Sequence, residues 1–183
     1  TIDLTLRFRE ADDPKEKEQQ ESIFLIDQWC AEYENKIRSL GGIGFFLGGI
    51  GPDGHIAFNV RGSDHNSTTR LTSTNFETQA AAATDLGGIE ISRNRLVITI
   101  GLRTITYNPE ATGIIIAAGE AKSLIIKNSL EKSPDVKYPA TALTRLKHSC
   151  FYITKGAAKL LSDTENEYWK NKTWDKPKKQ KSL

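Results

Sequence analysis

Apolar positions fall into short runs separated by charged or glycine-rich stretches, and the spacing inside each run predicts its element. Ile2 to Phe8 alternates apolar and polar residues, the period of a half-buried strand. Arg9 to Gln20 is charged and reads as a loop passing into a solvated helix start, with Asp12-Asp13-Pro14 as the N-terminal signal. Ile23, Leu25, Ile26, Trp29, Cys30, Tyr33 and Ile37 then recur at helical spacing. They predict an amphipathic helix that ends near Leu40 and is stopped by Gly41-Gly42. Ile43 to Leu47 is a buried strand bounded by glycines.

The second half repeats the alternation. Residues 60–75 are polar and read as a long functional loop. Gln79 to Thr84 is alanine-rich and predicts a helix ended by Gly87-Gly88. Leu96 to Ile100 reads as a central strand, and Asn108-Pro109 as a turn. Ile114-Ile115-Ile116-Ala117-Ala118 is the strongest buried-strand signal, closed by Gly119. Ala121 to Leu130 predicts a helix with Leu124, Ile125 and Leu130 as its stripe. Pro139 to Leu146 reads as a short helix, Phe151 to Ile153 as a last strand and Gly156 to Leu161 as a last helix. Strands alternating with helices imply an α/β fold with a mostly parallel sheet and right-handed crossovers. From Glu165 onward the pattern is lost. The chain therefore divides into a domain over 1–165 and a basic, proline-containing tail or linker over 166–183.

Composition narrows the function classes. The chain has 183 residues, enough for one domain with a good core. A formal net charge of +2 gives no case for nucleic acid. No apolar run approaches the ~18 residues of a membrane span. Cys30 and Cys150 lack metal-ligand spacing and read as reduced, buried thiols of a cytoplasmic protein. The chain contains no Met and begins at Thr1, which reads as an excised segment.

The chemistry concentrates in Gly48-Gly49-Ile50-Gly51-Pro52-Asp53-Gly54-His55-Ile56-Ala57-Phe58-Asn59, directly after the Ile43–Leu47 run. Glycines there let the backbone turn sharply and let a ligand approach the main chain. In open α/β sheets, ligands bind at the carboxyl ends of the strands. A carboxylate two positions from an imidazole can orient the ring and raise its basicity, as a general acid/base requires. Taken alone, the same residues also suit a glycine-rich reverse bend with a surface histidine.

The longer string Leu-Gly-Gly-Ile-Gly-Pro-Asp-Gly-His-Ile-Ala-Phe-Asn closely resembles the active-site loop of the glucosamine-6-phosphate deaminase (isomerase) family. The related 6-phosphogluconolactonases share its Gly-x-Asp-Gly-His core, but Ile56-Ala57-Phe58-Asn59 sides with the deaminases. Tyr33 to Arg38, Leu96 to Gly101 and Gly119-Glu120-Ala121-Lys122 resemble further family segments, so residues 28–160 are covered.

The resemblance implies a three-layer α/β fold of which this chain is the C-terminal two-thirds. It implies an enzyme that isomerises and deaminates an amino-sugar phosphate, with no metal and no organic cofactor. His55 would be the ring-opening acid/base and Asp53 its catalytic partner. Gly49, Gly51 and Lys122 would bind substrate, Lys122 through its phosphate. Ser63 and Arg70 match positions of an allosteric phosphosugar site in some bacterial members. The expected partners are a phosphorylated amino sugar and further copies of the chain, with neither nucleic acid nor membrane. Three departures stand out: Val60 where the family has a Glu, Thr84 where it often has a phosphate-binding Arg, and no counterpart before Thr1 of the family's phosphate loop and C2 base. Val60 and the missing N-terminal segments favour, as the alternative, a non-catalytic sugar-phosphate-binding or assembly domain. Lactone hydrolysis of the 6-phosphogluconolactonase type is a further alternative.

Overall fold

The computed structural model describes residues 2–75, 79–80, 88 and 95–162. Helix α1 spans Pro14–Ser39. Its N-cap Asp13 accepts the Glu16 amide at 2.8 Å, and Pro14 occupies the first turn, where its missing N–H costs nothing. Gly41 and Gly42 end it, both in the left-handed region that favours glycine, with amides donating to the Arg38 and Ile37 carbonyls.

Two sheets follow. Strands β1 (Phe45–Gly49), β4 (Thr112–Ala117) and β5 (His148–Ile153) form a parallel sheet in the order β1-β4-β5. Strands β2 (Arg70–Ser73) and β3 (Leu96–Thr99) form an antiparallel ribbon. Helix α2 spans Leu102–Thr106, α3 spans Ser123–Glu131, and a 3₁₀ segment runs from Pro139 to Arg145. The main core lies between these helical pieces and one face of the parallel sheet. Ile115, Ala117 and Phe151 meet Leu102, Ile105, Ile125, Ile126 and Leu143 there. A second cluster of Leu6, Ile23 and Leu71 seats α1 on the ribbon. The α/β architecture with a parallel sheet agrees with the sequence reading.

Several elements differ from expectation. Ile2 to Phe8 is not a strand: Leu4–Arg7 is a 3₁₀ helix. Asp3 caps it by accepting the Thr5 amide at 2.9 Å, a local bond that competes with extended backbone. The first strand runs Phe45–Gly49 instead of 43–47, because its pairing with β4 starts only at Phe45. Leu96–Thr99 is not central to the parallel sheet but pairs with β2, which itself ends the stretch expected to be all loop. Gly156 to Leu161 forms turns, not a helix. Lys159 and Leu161 bond three residues back, and Gly156 lies so close to Glu120 that an added Cβ would sit 3.2 Å from its amide. Cys150 is exposed on β5, whereas Cys30 is buried. Only one of the apolar edges of α1 is buried, through Ile23, Cys30 and Glu34; Leu25, Trp29 and Tyr33 face solvent. The expected helix over 79–84 lies largely outside the described residues, as do Thr84 and the 166–183 tail.

Candidate active site

The glycine loop leaves the carboxyl end of β1. The Gly51 amide donates to the His55 carbonyl at 2.9 Å, and the Gly54 amide to the Gly51 carbonyl at 3.0 Å, closing a compact turn. Two glycines are required. Gly54 has φ +85°, and a Cβ there would meet Ile125 Cδ1 at 2.8 Å. Gly51 lies against the imidazole of His55, where a Cβ would fall 1.9 Å from Cε1. The loop is pinned at its far end by Ile56, which is fully buried, and by the Ala140 amide, which donates to the Gly54 carbonyl.

This turn brings His55 onto Asp53, with Nδ1 2.6 Å from Oδ1. Asp53 is only 5% exposed. Its Oδ2 accepts the Asn75 side-chain amide at 2.6 Å and the Arg61 backbone amide at 3.3 Å. Burial, the largest single influence, works to raise the Asp53 carboxyl. The hydrogen bonds from His55 and Asn75, the His55 charge and the Arg61 amide together outweigh it and hold the carboxyl well below the usual carboxylate range.

Lys122 joins the same place from the turn before α3. Its Nζ donates to the Ile50 carbonyl at 2.8 Å. Burial lowers its ammonium below the ordinary lysine value, and the Asp53 charge opposes that shift. Asp53, His55, Gly51 and Lys122 therefore converge on one loop. Gly49 lies at the exposed end of β1, where an added Cβ would sit 3.9 Å from the Ile116 carbonyl.

Ser63 and Arg70 form a separate pair behind the loop. Arg70 reaches Ser63 Oγ at 3.3 Å and Asn59 Oδ1 at 2.8 Å. Burial depresses the guanidinium, and Asp64 partly restores it. Asn59 is fully buried and ties this pair to the loop, since its Nδ2 donates to the Ile56 and Ile100 carbonyls. Among the described residues no group of three or more His, Cys, Asp or Glu side chains is arranged to hold a metal. No helix among them is long and apolar enough to cross a membrane.

Three contributors escaped the sequence reading. Asn75 carries no local signal. Asn59 was visible only as the end of the loop string. Glu34 had one: a carboxylate at i+4 from Cys30 on the buried stripe of α1. Its Oε2 accepts the Thr69 amide, the Thr69 hydroxyl and the Thr104 hydroxyl at 3.2, 2.9 and 2.8 Å, binding α1 to α2 and to the residue before Arg70.

A parallel sheet with an Asp–His loop at its carboxyl edge defines an α/β class, and the solved structures that resemble the chain agree. A monomeric glucosamine-6-phosphate deaminase superposes with a TM-score of 0.64 at 28% identity, over 82% of this chain and 56% of that one. A 6-phosphogluconolactonase from Trypanosoma cruzi shares the fold, with a TM-score of 0.52 at 21% identity over 73% of this chain and 51% of that one. No family model matches the chain. Among curated proteins, the glucosamine-6-phosphate deaminase of Borreliella afzelii is 35% identical over 144 residues, 79% of this chain and 53% of the relative. The glucosamine-6-phosphate isomerase of Candida albicans is 37% identical over 118 residues, 64% of this chain and 48% of the relative. The chain is a homologue of the glucosamine-6-phosphate deaminase (isomerase) family, and it spans about half the length of the curated relatives it matches.

Proposed function

We propose that this loop performs acid/base chemistry on a phosphorylated amino sugar, and that the complete protein converts glucosamine 6-phosphate and water to fructose 6-phosphate and ammonia. The observation that carries the reading is the His55–Asp53 pair at 2.6 Å, with the Lys122 ammonium bonded to the same loop. With Nδ1 engaged by Asp53, proton exchange with the sugar falls to Nε2. His55 would protonate the ring oxygen as the ring opens. A proton then moves from C2 to C1, the amine-bearing carbon becomes an imine, and water releases ammonia from it. Lys122, at the start of α3, suits the phosphate, since amides and dipole there already favour an anion.

The family resemblance supports a metal-free and cofactor-free reaction. The free thiols Cys30 and Cys150 suit a cytoplasmic setting, and the apolar residues exposed on the parallel sheet suit self-assembly. Ser63 and Arg70 would serve an effector phosphosugar, a role suited to a guanidinium already backed by Asn59. Val60 favours a second reading, non-catalytic sugar-phosphate binding, because its side chain can neither accept a hydrogen bond nor carry charge.

The complete protein should be incubated with glucosamine 6-phosphate and, separately, with 6-phosphogluconolactone. Ammonia and fructose 6-phosphate from the first, with no acceleration of the second, is the expected result. Binding of the amino sugar without turnover would install the second reading, and turnover of the lactone alone would install the hydrolase.

A further inference from the structure

Resting on the acid/base reading above, we propose that Asn75 is a positioning residue of the dyad: its side-chain amide locks the Asp53 carboxylate so that one fixed oxygen faces His55. The two carboxylate oxygens have divided roles. Oδ1 takes the imidazole Nδ1 at 2.6 Å, and Oδ2 takes Asn75 Nδ2 at 2.6 Å, with the Arg61 amide more distant at 3.3 Å. Short bonds to opposite oxygens fix the plane of the group. Without the amide, the carboxylate is held on that side by one long backbone bond and is free to turn. The ring would then lose the fixed acceptor that selects its Nδ1–H form.

The amide reaches the dyad from another part of the fold. Asn75 lies 22 residues beyond Asp53, just after β2, and both sides of it are anchored. β2 is paired along its length to β3. On the other side, the Gln79 amide donates to the Asn75 carbonyl at 2.9 Å, and Gln79 Nε2 to the Thr74 carbonyl at 2.9 Å. Asn75 thus fastens the dyad to the ribbon. Among the described residues, the charged side chains acting on Asp53 are His55 on its own loop and Lys122 from the turn before α3. Asn75 is uncharged and contributes a donor, and a donor to a carboxylate favours its ionised form.

The test uses the whole chain, without substrate, and the variants Asn75→Ala, Asn75→Asp and Asn75→Gln. Asn75→Asp keeps the shape, removes the donor and adds a like charge. Two NMR readouts follow each variant: the ring ¹⁵N shifts of neutral His55, which report the nitrogen carrying the proton, and the pH midpoint of the Asp53 carboxyl ¹³C shift. The wild type should show one tautomer, protonated on Nδ1. Asn75→Ala should give a mixture and raise the Asp53 midpoint by about one pH unit. Asn75→Asp should raise it further, because two adjacent carboxylates resist joint ionisation. Asn75→Gln, with a donor on a longer arm, should recover part of the single tautomer. Unchanged tautomer and midpoint in both Asn75→Ala and Asn75→Asp would overturn the proposal. Neither readout depends on turnover, so an inactive complete protein would overturn the enzymatic reading and leave this result standing, and the reverse also holds.

Discussion

The two faces of the parallel sheet carry similar residues and meet opposite fates. On one, Ile115 and Phe151 are buried under α2, α3 and the 139–145 segment. On the other, the register aligns Phe45 with Thr112 and His148, Leu47 with Ile114 and Cys150, and Gly49 with Ile116 and Tyr152. Phe45, Leu47, Ile116 and Tyr152 on that face are 59, 56, 53 and 47% exposed. Ile115 and Ile116 are neighbours of identical chemistry, yet one is fully buried and the other half bare. Parallel sheets are ordinarily covered on both faces. Among the described residues no layer covers that second face, in a chain that matches about half the length of its relatives. The site lies at the carboxyl edge, where the finished face and the unfinished one meet.

The sharpest way to break this contrast is at the isoleucine pair. Ile115→Ala should cost about 2–5 kcal/mol in urea unfolding, the usual range for emptying a packed core position. Ile116→Ala in the same chain should stay within about 0.5 kcal/mol. Equal costs would mean the open face is covered in solution.

Glu34 tests the polar side of the covered region. Glu34→Ala strands the Thr69 amide and the Thr69 and Thr104 hydroxyls in a buried place. A loss of about 2–3 kcal/mol is expected in the same denaturation experiment, whereas an unchanged midpoint would show that water replaces the carboxylate.

Two glycines carry the contrast into the loop. Gly51→Ala would push a methyl into the His55 ring, and should cost about 1–3 kcal/mol and shift the ring resonances. Gly49→Ala faces open space, with the Ile116 carbonyl at 3.9 Å, and should leave both nearly unchanged. Thermal melts and His55 NMR spectra compare them directly.

The smallest effect is in pH. The Asp53 carboxyl is depressed in the folded chain, so its stabilisation is present above the unfolded value of 3.8 and is lost as pH falls below it. The stability difference between wild type and Asp53→Asn should therefore shrink as pH is taken from about 6 down through about 3. A difference that does not change over that range would contradict the depressed carboxyl.

What could be read from the sequence was what local pattern determines. The capped start of α1, its glycine stop, the β4 run and the loop string are all local, and all appear where expected within a residue or two. Most of the misses turn on partners distant in sequence. Leu96–Thr99 looks central by its apolar run, but pairing with β2 decides its place. Ile2 to Phe8 is the exception: it alternates like a strand, but the local Asp3 cap turns it into a 3₁₀ helix. The apolar residues of α1 mark two edges, and periodicity cannot say which one is covered. At the site, Asp53 and His55 are two residues apart and were visible together. Asn75, Glu34 and Thr104 reach their partners across 22, 35 and 70 positions, beyond any motif.

The most direct test of the proposed chemistry is His55→Ala in the complete protein, with ammonia release from glucosamine 6-phosphate and phosphosugar binding by calorimetry measured side by side. Turnover should fall by about 10²–10⁴, the usual worth of a positioned acid/base, while binding stays within a few-fold because Lys122, the proposed phosphate partner, is untouched. Near-normal turnover in His55→Ala would show that the loop is structural and that the non-catalytic reading is the better one.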